Sequence, residues 1–157
     1  VSSLRTSTAE IETFLVDNAA SKDVAVGGYD AYEVSFTLKP QSEGKTKVTL
    51  CNACGEKFSL EFDTENMTVL ADRSESGKMT RIKSFVLMPA APLGLCNSSD
   101  GYDVDVFVDK CSVEVFVDGG RIAMTNLVFP SESFDNIVFE STGESEISNM
   151  FIHKIGK

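Results

Sequence analysis

The fold is decided between residues 104 and 117, where the sequence reads Val104-Asp-Val-Phe-Val-Asp-Lys-Cys-Ser-Val-Glu-Val-Phe-Val117. Valine occupies every second position on both sides of a short polar break, Asp109-Lys-Cys-Ser112. Because neighbouring side chains of a β-strand point to opposite faces, this pattern predicts two strands that each turn a row of valines towards a core. The break has the length of a tight turn, so we expect the two strands to pair as a hairpin.

The same two-residue period continues on both sides of the hairpin. It occurs at Tyr32–Leu38, Lys47–Leu50, Phe58–Phe62 and Ile137–Phe139, and a last strand is expected over Glu146–Ile155. Turn residues separate these stretches, as in Pro40–Gly44, Asn52–Gly55 and Asp118–Gly120. Strands that recur at such short intervals, without a long helical pattern between them, indicate an all-β sandwich or barrel.

The first 20 residues carry less of this pattern. Thr8–Leu15 could form a short helix, or the segment could be extended. We therefore expect residues 1–20 to be a lead-in segment or a former linker to a preceding domain, and residues 21–157 to form a single β-sandwich domain. The chain starts at Val1 rather than at a methionine, which suggests a processed protein or a piece of a longer one.

Composition excludes several classes of partner. The 157 residues carry 24 Asp and Glu against 14 Lys and Arg, a formal net charge of −10. Such an acidic chain repels phosphate groups, so we expect neither nucleic acid nor an anionic membrane surface as a partner. No apolar run approaches the roughly 18 residues that a membrane-spanning helix needs. The single histidine, His153, leaves little scope for Ser-His-Asp catalysis.

The four cysteines leave three chemical states open. Cys51-Asn-Ala-Cys54 resembles half of a zinc site, but Cys96 and Cys111 are too far apart in sequence to supply the other half. A disulfide is a second state, and sequence alone cannot choose among the three pairings. Free thiols are favoured over both, and we expect no metal and no cofactor.

The hairpin also carries a family resemblance. Val106–Val117, followed by Asp118-Gly-Gly-Arg121 and Val128-Phe-Pro130, resembles the C-terminal β-sandwich of family 32 glycoside hydrolases, which include invertases, levanases and inulinases. Tyr32-Glu-Val-Ser-Phe36 is similar to the first core strand of that module. Leu70-Ala-Asp-Arg-Ser-Glu-Ser-Gly77 is similar to its D-R-S-x-S-G segment.

This resemblance spans nearly the whole chain and covers the accessory module of the family. It implies an antiparallel β-sandwich of two packed sheets, about six strands each, of the concanavalin or lectin-like jelly-roll type. The catalytic half of the family is a five-bladed propeller with the motifs N-D-P-N-G, R-D-P and E-C, and none of these motifs occurs in this sequence. We therefore expect the chain itself to be no enzyme, and its parent to be a β-fructofuranosidase-type glycosidase.

Three functions follow from the resemblance. In the first, the module braces the N-terminal β-propeller catalytic domain of the same polypeptide, or an oligomer interface. The alternative is a carbohydrate-binding module that binds a fructan oligosaccharide by the terminal fructose of levan or inulin, and a lectin-like role is third. An extracellular or periplasmic location is implied by resemblance only. The absence of Trp and the presence of only three Tyr weigh against a stacked sugar, so bracing ranks first.

Five residues are candidates for the carbohydrate-binding alternative. Asp72 and Arg73 offer an acceptor and a forked donor for neighbouring sugar hydroxyls, or they cap a turn as an internal ion pair. Glu33 lies in the middle of a strand, where an exposed glutamate is unremarkable, and it becomes a candidate only if it lies beside Arg73. Glu114 stands between two core valines and points away from them, towards a sugar or towards solvent. Arg121 either donates to a ligand or neutralises the acidic strand beside it.

Overall fold

The computed structural model describes residues 5–27, 29–77, 90–96 and 101–155, and within these ranges the secondary structure is almost entirely β. The strands are β1 (Arg5–Ile11), β2 (Phe14–Asp17), β3 (Lys22–Ala25), β4 (Tyr32–Pro40), β5 (Lys45–Cys51), β6 (Lys57–Asp63), β7 (Thr68–Glu75), β8 (Ala90–Pro92), β9 (Tyr102–Val108), β10 (Ser112–Val117), β11 (Ile122–Leu127), β12 (Asn136–Ser141) and β13 (Glu144–Ile155). The 3₁₀ helix Leu93–Leu95 follows β8.

These strands form two antiparallel sheets. The first sheet has the order β1-β13-β4-β9-β10-β11, and β2 also pairs with β13. The second sheet has the order β3-β12-β5-β6-β7-β8. The all-β sandwich predicted from the two-residue period is confirmed.

Apolar side chains from the inner faces of both sheets form one core. Phe36 of β4 meets Phe139 of β12 edge to face, with 5.4 Å between the ring centroids. Phe62 of β6 stacks on Tyr102 of β9 at 6.3 Å. Aromatic pairs at these distances add to the stability gained from burial alone, so they help to hold the middle of one sheet over the middle of the other.

The valine hairpin lies in this core as predicted. Residues 104, 106 and 108 of β9 stand opposite residues 117, 115 and 113 of β10, and all six valines are buried. The turn between the strands is closed by the Asp109 N–H, which donates to the Ser112 carbonyl at 2.9 Å. Asp109 Oδ1 accepts from the Lys110 N–H at 2.7 Å, so its side chain caps the turn.

The N-terminal segment differs from expectation. Residues 5–11 and 14–17 are strands that pair with β13, so of the two conformations left open for Thr8–Leu15 the structure has the extended one. β13 offers a row of backbone hydrogen-bonding groups along this side, and an extended segment satisfies them where a short isolated helix is only marginally stable. The described part of the expected lead-in therefore contributes two strands to the first sheet.

Replacing Val115 by alanine should lower the free energy of unfolding by about 2–3 kcal/mol, because its fully buried side chain would leave a cavity. Urea denaturation followed by circular dichroism measures the change. Thr125→Ala is the control, since Thr125 is exposed on the neighbouring strand and its loss should cost less than about 0.5 kcal/mol. Equal destabilisation by the two substitutions would contradict the position of the valine row.

Candidate functional site

The five candidate residues lie in three separate places. Asp72 and Arg73 are near the end of β7 in the second sheet, and Arg121 is in the turn between β10 and β11. Glu33 of β4 and Glu114 of β10 lie on the first sheet. Arg73 contacts β11, the edge strand of the first sheet. Two strands, β9 and β10, lie between β11 and β4, which carries Glu33. At about 4.8 Å per strand, the backbones of β4 and β11 are about 14 Å apart.

Asp72 and Arg73 both have partners inside the fold. Asp72 Oδ1 accepts hydrogen bonds from the Ser74 N–H at 2.9 Å and from the Ser74 hydroxyl at 2.6 Å. The Arg73 guanidinium donates to the Leu127 carbonyl of β11 at 3.0 Å, which ties the second sheet to the edge of the first. The carboxylate and the guanidinium therefore serve different internal partners.

The remaining residues of the D-R-S-x-S-G segment hold the same corner of the sandwich. The Ser76 N–H and hydroxyl both donate to the Arg73 carbonyl, at 3.1 Å and 2.7 Å. Gly77 has a φ of 144° and lies so close to the chain after β11 that a Cβ here would overlap the Phe129 carbonyl. The segment thus builds a close contact between the end of β7 and the residues that follow β11.

Glu33 and Glu114 share the outer face of the first sheet. Phe107 of β9 stands between them, opposite Glu33 on one side and Glu114 on the other. His153 flanks Glu33 on the far side, and its Nδ1 is 2.9 Å from the Thr8 hydroxyl. Although they point away from the core, Glu33 and His153 are only 2% and 7% exposed.

Glu33 and Glu114 are not spaced like the two catalytic carboxyl groups of a retaining glycosidase. β4 and β10 are two strands apart, so their backbones are separated by about 10 Å. The ring of Phe107 occupies the space between the two glutamates. A retaining enzyme holds its two carboxyl groups about 5 Å apart.

Arg121 is exposed and lies close enough to Cys96 to influence its titration. Burial and the negative charge of Asp118 raise the pKa of the Cys96 thiol, and the positive charge of Arg121 opposes them. All four cysteines are free thiols. Across the described ranges, no group of three or more His, Cys, Asp or Glu side chains is placed to hold a metal ion.

Sequence reasoning missed a cavity at one end of the sandwich. It has a volume of about 390 Å³ and is lined by Asp30, residues 108–110 and residues 130–134. We call it the end cavity. Its walls come from the residues before β4, the β9–β10 turn and the residues before β12. The polar runs Asp109-Lys110 and Pro130-Ser-Glu-Ser133 are visible in the sequence, but nothing there shows that they are neighbours.

Glu56 fixes one wall of the end cavity. Its carboxylate accepts from the Ser131 N–H at 2.9 Å and 3.1 Å, from the Ser131 hydroxyl at 2.8 Å and from the Asn52 amide at 3.0 Å. Partial burial raises the pKa of Glu56, but these hydrogen bonds outweigh burial and bring the pKa below its ordinary value. Glu56 is therefore ionised at neutral pH and anchors Ser131.

The fold defines the class of this protein as a two-sheet antiparallel β-sandwich domain. A family model described as glycosyl hydrolases family 32 C terminal matches residues 1–154. The chain belongs to this family, in agreement with the resemblance carried by the valine hairpin. Within the described part of the chain, no helix has the length and apolarity to cross a membrane.

Relatives of the chain are much longer proteins. The levanase of Bacillus subtilis is 28% identical over 148 residues, which cover 91% of this chain and 22% of the levanase. The extracellular exo-inulinase of Aspergillus awamori is 25% identical over 134 residues, 83% of this chain and 25% of the inulinase. The structure of the Schwanniomyces occidentalis fructofuranosidase complexed with fructose shares the fold, with a TM-score of 0.78 at 18% identity over 98% of this chain and 34% of that one. The chain thus spans between 22% and 34% of each of these proteins.

Replacing Arg73 by alanine should lower the free energy of unfolding by about 1.5–3 kcal/mol, the range for a hydrogen bond with a charged donor. The cause is loss of the link between β7 and the Leu127 carbonyl. Chemical denaturation measures the change. Lys39→Ala, at an exposed position of β4, should alter stability by less than about 0.5 kcal/mol. An Arg73→Ala protein as stable as wild type would contradict this internal role.

The stabilisation that Glu56 provides should depend on pH. Because its pKa is lower in the folded than in the unfolded protein, the ionised carboxylate stabilises the fold above the unfolded-state pKa of about 4.3, and this contribution is lost as the pH falls through the folded-state pKa. The stability gap between wild type and Glu56→Gln should therefore be constant above about pH 5 and shrink below about pH 4. Urea denaturation at a series of pH values above and below this window tests the prediction, with Glu43→Gln at an exposed turn as control. A gap that does not shrink in acid would contradict it.

Proposed function

We propose that this chain is the non-catalytic C-terminal domain of a fructan- or sucrose-hydrolysing enzyme and that it braces the N-terminal catalytic domain of the same polypeptide. The family match over residues 1–154 supports the domain assignment. In the levanase and the fructofuranosidase, a region of this kind makes up only 22% and 34% of the protein, so a longer segment accompanies it there. The observation that carries the bracing role is a difference between the outer faces of the two sheets.

The outer face of the second sheet has the composition of a solvent-exposed surface. Lys47 of β5 stands between Glu61 of β6 and Glu140 of β12. Lys45 Nζ lies 4.0 Å from Glu61 Oε1, so charges of both signs alternate across the strands. Opposite charges in cross-strand positions stabilise a sheet surface that faces water.

The outer face of the first sheet is more apolar. Phe107 and Phe116 pack edge to face at 5.8 Å, and Phe151 stacks on His153 at 6.0 Å. Leu127 is 53% exposed at one end of the face. Leu15 of β2 is 57% exposed at the other end, opposite Glu146 of β13. Exposed apolar and aromatic side chains that share one face are typical of protein–protein interfaces.

In the proposal, this face contacts the catalytic domain. Burial of the phenylalanines and of the two exposed leucines supplies the favourable free energy of contact. Glu114, Asp103 and Asp105 lie on the same face, so the opposing surface of the catalytic domain should present basic side chains. The sandwich then stabilises the catalytic domain without contributing a catalytic residue.

The fructan-binding alternative ranks second. Asp72 and Arg73, the pair on which it depended most, are hydrogen-bonded within the fold. A secreted parent enzyme is part of the proposal, and the extracellular exo-inulinase among the relatives supports it.

In the full-length hydrolase, Leu127→Asp should lower the midpoint temperature of thermal inactivation by about 3 °C or more, because it replaces an apolar contact of the interface by a charged side chain that must lose its water. Fructose release measured after graded heating gives the midpoint. Leu70→Asp is the matched control, since Leu70 faces outwards on the second sheet opposite Glu61.

Measurements on the isolated 157-residue chain distinguish an effect of each substitution on docking from an effect on folding. In the isolated chain, Leu127→Asp should change the free energy of unfolding by less than about 0.5 kcal/mol. Leu70→Asp should change stability to the same extent in the isolated chain and in the full-length enzyme. The isolated chain should release no fructose from sucrose, inulin or levan. An unchanged inactivation midpoint for Leu127→Asp, or fructose release by the isolated chain, would overturn the proposal.

A further inference from the structure

We infer that a hollow in the outer face of the first sheet receives one arginine side chain of the catalytic domain. The inference rests on the proposed function, and it names the group of the partner that this face is shaped to accept. The hollow has a volume of about 360 Å³ and is lined by residues 35–37 of β4, residues 103–105 of β9, and Asn149 and Phe151 of β13. We call it the outer-face hollow.

Small side chains of β4 form the floor of the outer-face hollow. Ser35 stands opposite Phe151 on one side and opposite Asp105 on the other. One step further along β4, Thr37 stands opposite Asp103 and beside the bulge of β13. The backbones of β13 and β9 are two strand spacings apart, which is about 10 Å. An aromatic ring and a carboxylate therefore face each other across a space that has only a serine beneath it.

The walls of the hollow are held in place within the fold. The Thr37 hydroxyl donates to Asp103 Oδ1 at 2.9 Å. His153 stacks on the Phe151 ring with the two planes within 10° of parallel, which leaves the other face of this ring for the hollow. Walls that are already ordered lose little conformational entropy when a partner group enters.

These walls match the chemistry of a guanidinium group. A planar guanidinium can lie against the face of a ring while its N–H groups donate to a carboxylate. It is also more weakly hydrated than the ammonium group of lysine, so it enters a contact with an aromatic ring more readily. Asp103 and Asp105 make the hollow negative, and the described residues that line it include no basic side chain. The combination of Phe151 with these carboxylates favours arginine over lysine.

A second copy of this chain fits the face less well. Asp103, Asp105 and Glu114 all lie on it. In a two-fold contact the same patch meets itself, so two copies would place like charges opposite each other. A basic side chain from a different domain has the complementary charge.

Two variants of the full-length hydrolase test this inference. Ser35→Trp fills the hollow, and Asp103→Asn removes one charge while its amide oxygen can still accept from Thr37. Each should lower the midpoint temperature of thermal inactivation by about 2 °C or more, because the arginine loses its place or its partner. Asp23→Asn, at an exposed position of β3 in the second sheet, is the matched control and should shift the midpoint by less than about 1 °C.

The same variants of the isolated 157-residue chain show whether the effect comes from docking. Ser35 is half-buried and Asp103 is exposed, and both side chains lie outside the core. Both variants should therefore fold, and they should unfold at nearly the same urea concentration as the wild-type chain. A loss of stability in the isolated chain as large as the loss in the full-length enzyme would overturn the inference.

Chemical labelling identifies the group that occupies the hollow. In the wild-type full-length enzyme, one arginine outside this domain should be protected from an arginine-specific dicarbonyl reagent, and Ser35→Trp should make it reactive. Mass spectrometry of the labelled peptides locates it. Release of a lysine instead, detected with an amine-specific reagent, or no change in labelling would overturn the inference. A dimer of the isolated chain that Ser35→Trp dissociates would also overturn it, because the occupant would then be a second copy.

Failure of this inference can be told apart from failure of the proposed function. If Leu127→Asp lowers the inactivation midpoint and neither Ser35→Trp nor Asp103→Asn does, the face contacts the catalytic domain and only the arginine contact is wrong. If none of the three variants lowers the midpoint, both the proposed function and this inference are overturned.

Discussion

The hydrogen bonds of β13 hold the first sheet together, and a bulge in this strand determines which side chains face the core. β13 pairs with β1 and β2 on one side and with β4 on the other. Ile147 points into the core, and a regular strand would turn residue 152 outwards. The register shift between Ser148 and Phe151, where Asn149 has a φ of 50°, reverses the alternation and brings Ile152 back into the core. The same shift turns Phe151 and His153 to the outer face, so the apolar character of that face depends on one extra residue.

The sequence predicted those strands whose burial is dictated by their own side chains. Each valine of the β9–β10 hairpin is apolar and β-branched, so local pattern and tertiary environment agree. β11 was missed because its alternation is broken by Asn126, which is 2% exposed and donates to the Val113 carbonyl at 3.4 Å. β1 was missed because it has few apolar residues and is a strand only through its pairing with β13, a partner more than 130 positions away. Long-range pairing of this kind leaves no trace in a local pattern.

The candidate site was less predictable than the fold. The sequence indicated correctly that Glu114 points away from the valine core, but it did not show that Phe107 stands between Glu33 and Glu114. Glu33, expected to be exposed, is 2% exposed and lies on the other sheet from Arg73. It also drew attention to Asp72 and Arg73 as a pair, although adjacent residues of a strand point to opposite faces and here serve different partners. The end cavity was invisible, because its walls come from three segments that only the strand order brings together.

The pairing of β13 also sets the order in which the molecule can assemble during synthesis. Pro40 ends β4, and Glu144, the first residue of its partner β13, is 104 positions further along the chain. At a translation rate of about 5–20 residues per second, β4 waits about 5–20 s on the ribosome with that side unpaired, and β1 and β2, which lie further from β13 in the sequence, wait longer. Unpaired strand edges recruit other chains during such an interval. Any domain made earlier in the same polypeptide would therefore fold beside a sandwich whose first sheet is still incomplete.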